Sequence, residues 1–153
     1  MIDVHIASNA NIAKVTLHSL PDKPGIAAEI FGKLGSHGFN VELVVTGISY
    51  KGRTDVSFAV TENELDAVNT LLQKTKSEIG AEKISHTSSV ALVSIAGHQL
   101  AQTAGMAGRM FNALSKAGIN IDTISTSMSS VTCMIAKDKA KEAVDALRKE
   151  FQT

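Results

Sequence analysis

Apolar positions along this chain first alternate, then recur with helical spacing, and the succession occurs twice. Over 14–20, Val15 and Leu17 alternate with less apolar neighbours and predict a strand. Pro21, Asp22, Lys23, Pro24 and Gly25 predict a turn, with Pro24 suited to a first helical turn, where no N–H is needed. Ile26, Ala27, Ile30, Phe31 and Leu34 form one face of a helix, and Gly35 and Gly38 supply its left-handed stops. A second strand is predicted over 39–48, a turn at Tyr50, Lys51, Gly52 and Arg53, and a third strand on Val56, Phe58 and Val60. Thr61 and Glu64 have the spacing of a capping box before a helix through Leu65, Val68 and Leu72. A short fourth strand follows over 82–86.

The same order returns further on. A strand over 90–96 leads through a loop to Ala104 and a helix on Met106, Met110, Phe111 and Leu114. Strands over 119–127 and on Val131, Cys133 and Ile135 follow, then a helix on Ala143, Val144, Leu147 and Phe151. A shift of 80 residues places Gly25 on Gly105, Ala27 on Ala107, Phe31 on Phe111, Leu34 on Leu114, Gly38 on Gly118, Asn40 on Asn120 and Thr46 on Thr126. Such a repeat decides the architecture before any motif does. The second unit lacks a fourth strand, whereas 1–8 carry Ile2, Val4 and Ile6 in strand-like alternation. An uncovered sheet edge invites aggregation, so this N-terminal strand is expected to complete the second unit; the rival reading makes 1–8 a frayed leader. The expected fold class is α+β: two ferredoxin-like βαββαβ domains, one over 9–86, inserted into a second formed by 1–8 and 87–153.

Composition narrows the function. The 153 residues suffice for two small domains, and 44% hydrophobic with 20% charged residues predicts packed cores. Fifteen basic residues balance fifteen acidic ones, which leaves no basic surplus for a nucleic-acid partner. No apolar run approaches the length of a membrane span, and the N-terminus lacks the basic start of a signal peptide. One cysteine, Cys133, excludes an internal disulfide and fits a reducing cytoplasm; its alternation with Val131 and Ile135 reads as a small buried hydrophobe.

Catalytic motifs are missing. The glycines between 25 and 33 have the wrong spacing for a phosphate cradle, and no zinc or calcium pattern occurs, so neither cofactor nor metal is expected. The five histidines are scattered, and Ser125, Thr126, Ser127, Ser129 and Ser130 have no histidine and carboxylate near them in sequence. A triad assembled from distant residues is left open. Binding is better served. In both units a glycine-containing turn enters a helix, whose first N–H groups and positive dipole end suit a carboxylate. Each following strand opens with Asn40-Val41-Glu42 or Asn120-Ile121-Asp122, polar groups suited to an α-amino group. Together they describe a pocket for a free amino acid; taken separately, the same glycines and asparagines serve as turn formers.

Ile12-Ala13-Lys14-Val15-Thr16-Leu17, the run from Pro21 through Phe31 and Asn40-Val41-Glu42 resemble the first regulatory ACT domain of aspartate kinases. The run from Gly118 to Ser127, with its Ile-Ser-Thr-Ser end, is similar to their second. The resemblance covers essentially the whole chain; the amino-acid kinase domain that binds ATP and aspartate is absent from it. It implies a non-catalytic regulatory part, working with a catalytic aspartate kinase chain or domain (a phosphotransferase acting on a carboxyl group). Feedback by an end-product amino acid, threonine or lysine, is implied too. Two chains would pair as a homodimer. One effector site would combine Asp22, Pro24, Gly25, Ile26 and Ala27 with Asn120 and Ile121 of the other chain; its twin would combine Thr103, Ala104, Gly105 and Met106 with Asn40, Val41 and Glu42. Thr46, Ser125 and Ser127 complete the candidate set. Thr46 stands where the family often has Gln, a residue that reaches the effector; Met128 stands where an acidic residue is usual, which counts against lysine at the second site and leaves threonine at the first site as the favoured effector. The alternative is a stand-alone tandem-ACT sensor acting on a transcriptional or other metabolic target.

Overall fold

The computed structural model describes residues 3–153. Its strands are β1 (His5–Pro21), β2 (Glu42–Thr46), β3 (Arg53–Thr61), β4 (Lys83–Ala96), β5 (Thr123–Thr126) and β6 (Ser130–Ala136). Its helices are α1 (Ile26–Ser36), α2 (Leu65–Ile79), α3 (Met106–Lys116) and α4 (Ala140–Phe151). The chain divides into two compact units. The first is Asn11–Ser88; the second joins the stretch ending at Ala10 to Ser89–Thr153. The joints fall two residues beyond the expected 9–86. β1 and β4 each pass from one unit to the other. In the first unit the strands lie in the order β2-β3-β1-β4, and in the second β5-β6-β4-β1.

Each sheet carries two helices on an aliphatic core. In the first unit, Val15, Leu17 and Leu20 of β1 and Val56, Phe58 and Val60 of β3 meet Ile30 and Leu34 of α1 and Val68 and Leu72 of α2. Phe31 lies edge-on to Phe58, ring centres 5.4 Å apart. In the second unit, Ala91, Val93 and Ile95 of β4 and Val131, Cys133 and Ile135 of β6 meet Met110 and Leu114 of α3 and Leu147 and Phe151 of α4, with Val4 added from the N-terminal stretch. Alternating strand positions supply one face and helical periodicity the other, so each core follows from the pattern.

Several boundaries differ from expectation. The strand predicted over 1–8 begins only at His5 and runs on into that over 14–20 as one strand, β1; Met1 and Ile2 lie outside the described residues. The strands over 82–86 and 90–96 likewise merge into β4. No Gly or Pro falls within 9–13 or 87–89, so no breaker separates the two halves of either strand. Pro24 precedes the helix rather than opening it, because Gly25, with φ of 89°, takes the N-cap. Gly35 lies inside α1; Gly38 stops it, with Phe39 N–H donating to the Leu34 carbonyl, and Gly118 and Ile119 repeat this at α3. The Thr61–Glu64 capping box does not form: Glu62–Glu64 make a tight 3-10 turn before α2, without a side-chain cap. β2 and β5 are shorter than the predicted 39–48 and 119–127; a register shift between Glu42 and Val45 and a left-handed Leu43 (φ 54°) interrupt the first.

Candidate functional site

In the first unit, β1 ends at Pro21 and the chain turns over Asp22, Lys23, Pro24 and Gly25 into α1. The Asp22 N–H donates to the Gly52 carbonyl at 2.8 Å, and Glu29 N–H to the Gly25 carbonyl at 2.9 Å. Glycine at the N-cap brings no side-chain oxygen, so the Ala27 and Ala28 N–H groups have no intrahelical acceptor and lie at the positive end of the helix. Asp22, Pro24, Gly25 and Ala27 are exposed there, while Ile26 anchors the turn in the core. The second unit builds the same feature: Gly105 (φ 84°) opens α3, Arg109 N–H donates to its carbonyl at 2.9 Å, and Met106 is buried. Both turns can seat an anion.

Asn40, Val41 and Glu42 follow the other end of α1, as Asn120 and Ile121 follow that of α3. Each helix has 11 residues, about 16 Å at 1.5 Å per residue, so neither unit brings its own turn and asparagine together. Asn40, Glu42, Thr46 and Asn120 are exposed, and Val41 and Ile121 half-buried. The second unit does join its turn to the end of β5. Thr103, Gly105 and Met106 line a cleft of about 290 Å³ with Thr126, Ser127 and Met128. Ser125 sits half-buried on β5 opposite Thr132, and Ala104 is exposed beside Gly105. The Ser127 hydroxyl is engaged, 2.8 Å from that of Ser130, and it accepts the Ser129 N–H. Met128 is 81% exposed.

Sequence reasoning missed a polar cluster in the first unit. His18 lies 2.7 Å (Nε2) from the Ser85 hydroxyl and 3.8 Å (Nδ1) from the Asp55 carboxylate, residues from three strands. The three residue types match a nucleophilic triad, yet the carboxylate is beyond hydrogen-bond reach of the ring and accepts the Ser19 N–H instead. Only the fold could have found it, since strand pairing alone joins positions 18, 55 and 85. Among the described residues no group of three metal-ligating side chains is placed to hold an ion, and no helix is long and apolar enough to cross a membrane. Cys133 is fully buried, and burial pushes its thiol up to about 11.

Two separate segments, 11–76 and 93–151, each match an ACT domain model. Fold and site thus define a tandem ACT-domain protein, and the chain belongs to the ACT domain family. It is 40% identical over 147 residues to an aspartate kinase of Pseudomonas fluorescens (strain SBW25), a match covering 96% of this chain and 36% of that one. An aspartokinase of Helicobacter pylori (strain ATCC 700392 / 26695) is 34% identical over 147 residues with the same coverage. The chain therefore spans little more than a third of the length of these curated relatives, 36%. Among solved structures, one of aspartokinase alpha and beta subunits superposes with a TM-score of 0.90 at 30% identity, covering 100% of both chains. The ligand-free regulatory subunit of aspartate kinase from Thermus thermophilus gives 0.89 at 29% identity and 98% of both. The chain is a regulatory ACT part of the aspartate kinase type.

Proposed function

We propose that this chain senses an end-product amino acid for an aspartate kinase and passes the signal to a catalytic chain or domain whose phosphotransfer to a carboxyl group it does not itself perform. Threonine is the favoured effector and lysine the second. Two chains pair, so that Asp22, Gly25, Ile26 and Ala27 of one face Asn120 and Ile121 of the other, and Thr103, Ala104, Gly105 and Met106 face Asn40, Val41 and Glu42. The first unit is read as an insertion in the second, and the protein as cytoplasmic. One observation carries the reading: each unit holds its anion-seating turn and its asparagine at opposite ends of an 11-residue helix. A zwitterion needs both ends at once, which a pairing of copies supplies. Feedback then follows from linkage, since an effector shifts the partner's equilibrium only by its differential affinity for two states, about 1–3 kcal/mol in typical systems.

Calorimetric titration of the purified chain with threonine and with lysine tests this. Saturable threonine binding, with a melting temperature that climbs as RT ln(1 + [L]/Kd), is the expected result. Absence of binding by either overturns the effector assignment. Failure to co-purify with or inhibit an aspartate kinase catalytic chain, despite threonine binding, would favour a stand-alone sensor.

A further inference from the structure

We infer that Arg53 and Asp55 are positioning residues that hold the effector turn of the first unit in its binding shape, and that the second unit has no counterpart of them. The inference rests on the effector reading above and adds to it a difference between the two turns.

The β1–β3 ladder pairs Leu17 with Val56 and then Leu20 with Thr54, so His18 and Ser19 together oppose Asp55. This is a bulge, and Ser19 within it takes φ of 56°, a left-handed conformation costly for a residue with a side chain. Side chains of β3 grip both backbone groups of Ser19. The Asp55 carboxylate accepts its N–H at 2.8 Å. Arg53 Nε donates to its carbonyl and its hydroxyl, each at 2.8 Å, and Nη2 donates to the same carbonyl. That nitrogen also donates to the Gly80 carbonyl at 2.6 Å, at the C-terminal end of α2, where a cation complements the helix dipole. Glu82 balances the guanidinium at 3.7 Å. A methyl group on Gly80 would meet the Pro21 ring at 2.9 Å, so bulge, helix end and Pro21 are packed as one body. Pro21 is the residue from which the effector turn departs. The next residue, Asp22, is tied by its N–H to Gly52, the neighbour of Arg53. One guanidinium therefore fixes where and in which direction the turn leaves the sheet.

The second unit differs at each of these points. Its β4–β6 ladder runs without a shift from Val90↔Ala136 to Ala96↔Ser130. Val131 pairs with Ile95 and Thr126 as Val56 pairs with Leu17 and Thr46, so the position three residues before it, Met128, corresponds to Arg53. Met128 is exposed and has no guanidinium to offer. Its effector turn is reached through a longer path from Gly97, held by backbone bonds (Gly97 N–H to the Ser129 carbonyl, Leu100 N–H to Gly97, Gln102 N–H to Gln99 and Thr103 N–H to Leu100) and by buried Leu100, with no side-chain clamp from β6 among the described residues. A ligand that finds its site already shaped loses less ordering free energy on binding, so the first site is the preorganised one.

Hydrogen exchange on the whole 153-residue chain without effector tests the clamp, and titration with threonine and lysine tests its consequence. In Arg53→Ala, amides over 19–25 are expected to exchange about tenfold faster while 99–105 keep their wild-type rates, and effector affinity falls about tenfold. Arg53→Lys keeps the charge without the fork and is expected to recover only part of both. Should Arg53→Ala lose its cooperative melt, Asp55→Asn, which weakens the acceptor for Ser19, takes its place with the same expectations. Unchanged exchange over 19–25 in the variant would overturn the clamp. Faster exchange with wild-type affinity would overturn its role in binding. If the wild-type chain binds neither amino acid, the effector reading fails while exchange still decides whether Arg53 holds the turn.

Discussion

At the scale of single residues, Gly25 and Cys133 show how much of a role comes from immediate surroundings. Gly25 sits at φ of 89° with no atom within 4 Å of where a Cβ would stand. Gly25→Ala is therefore expected to cost about 1–2 kcal/mol through the backbone alone, read from denaturant unfolding, and to weaken effector binding by tilting the N–H groups of the first turn. Cys133 alternates with core residues on β6, so its thiolate has no water to stabilise it. The folded protein holds this proton more tightly than the unfolded chain, with a value of about 11 against the ordinary 9.0. Its contribution to stability is complete below pH 9 and is lost as pH rises toward 11, because the unfolded state ionises first. A thiol reagent should leave the native chain unmodified and react fully after denaturation. Melting across the alkaline range should show Cys133→Ala losing less stability than the wild type. The position of Cys133 was legible from alternation; the grip of Arg53 and Asp55 on Ser19 was not, since it joins residues 34 and 36 positions apart.

At the scale of elements, local signals set where helices begin and end more firmly than where strands do. Gly38 and Gly118 close α1 and α3 with the same pair of backbone bonds because left-handed geometry is available there. Strand ends carry no such mark. β1 extends across a stretch that reads as two strands, since continuous pairing satisfies more backbone groups than a break would. The capping box gives way to a 3-10 turn in which the Leu65 N–H donates to the Glu62 carbonyl. Helix α2 depends on its apolar stripe, with Leu72 at 0% exposure against β1 and β3. Leu72→Ala is expected to destabilise the protein by about 2–5 kcal/mol in chemical unfolding, with retained helical circular dichroism in the folded state.

At the scale of the whole molecule, the repeat is the main fact. The 80-residue offset, the glycine turns and the paired asparagines are all readable from the sequence, as are two sets of core positions, because periods of 2.0 and 3.6 are intrinsic to strands and helices. The fold class follows from them, and the family from the resemblance that runs such as Pro21 to Phe31 carry. What required tertiary structure was distance. The sequence brings the turn and the asparagine of one unit into a single motif, and the fold places them at opposite ends of a helix. It also unites His18, Asp55 and Ser85, which nothing in the linear order connects. Local patterns arise from interactions over a few positions and can be read without folding the chain. Contacts between strands depend on register and bulges, and those are decided only when all the partners compete for the same backbone groups.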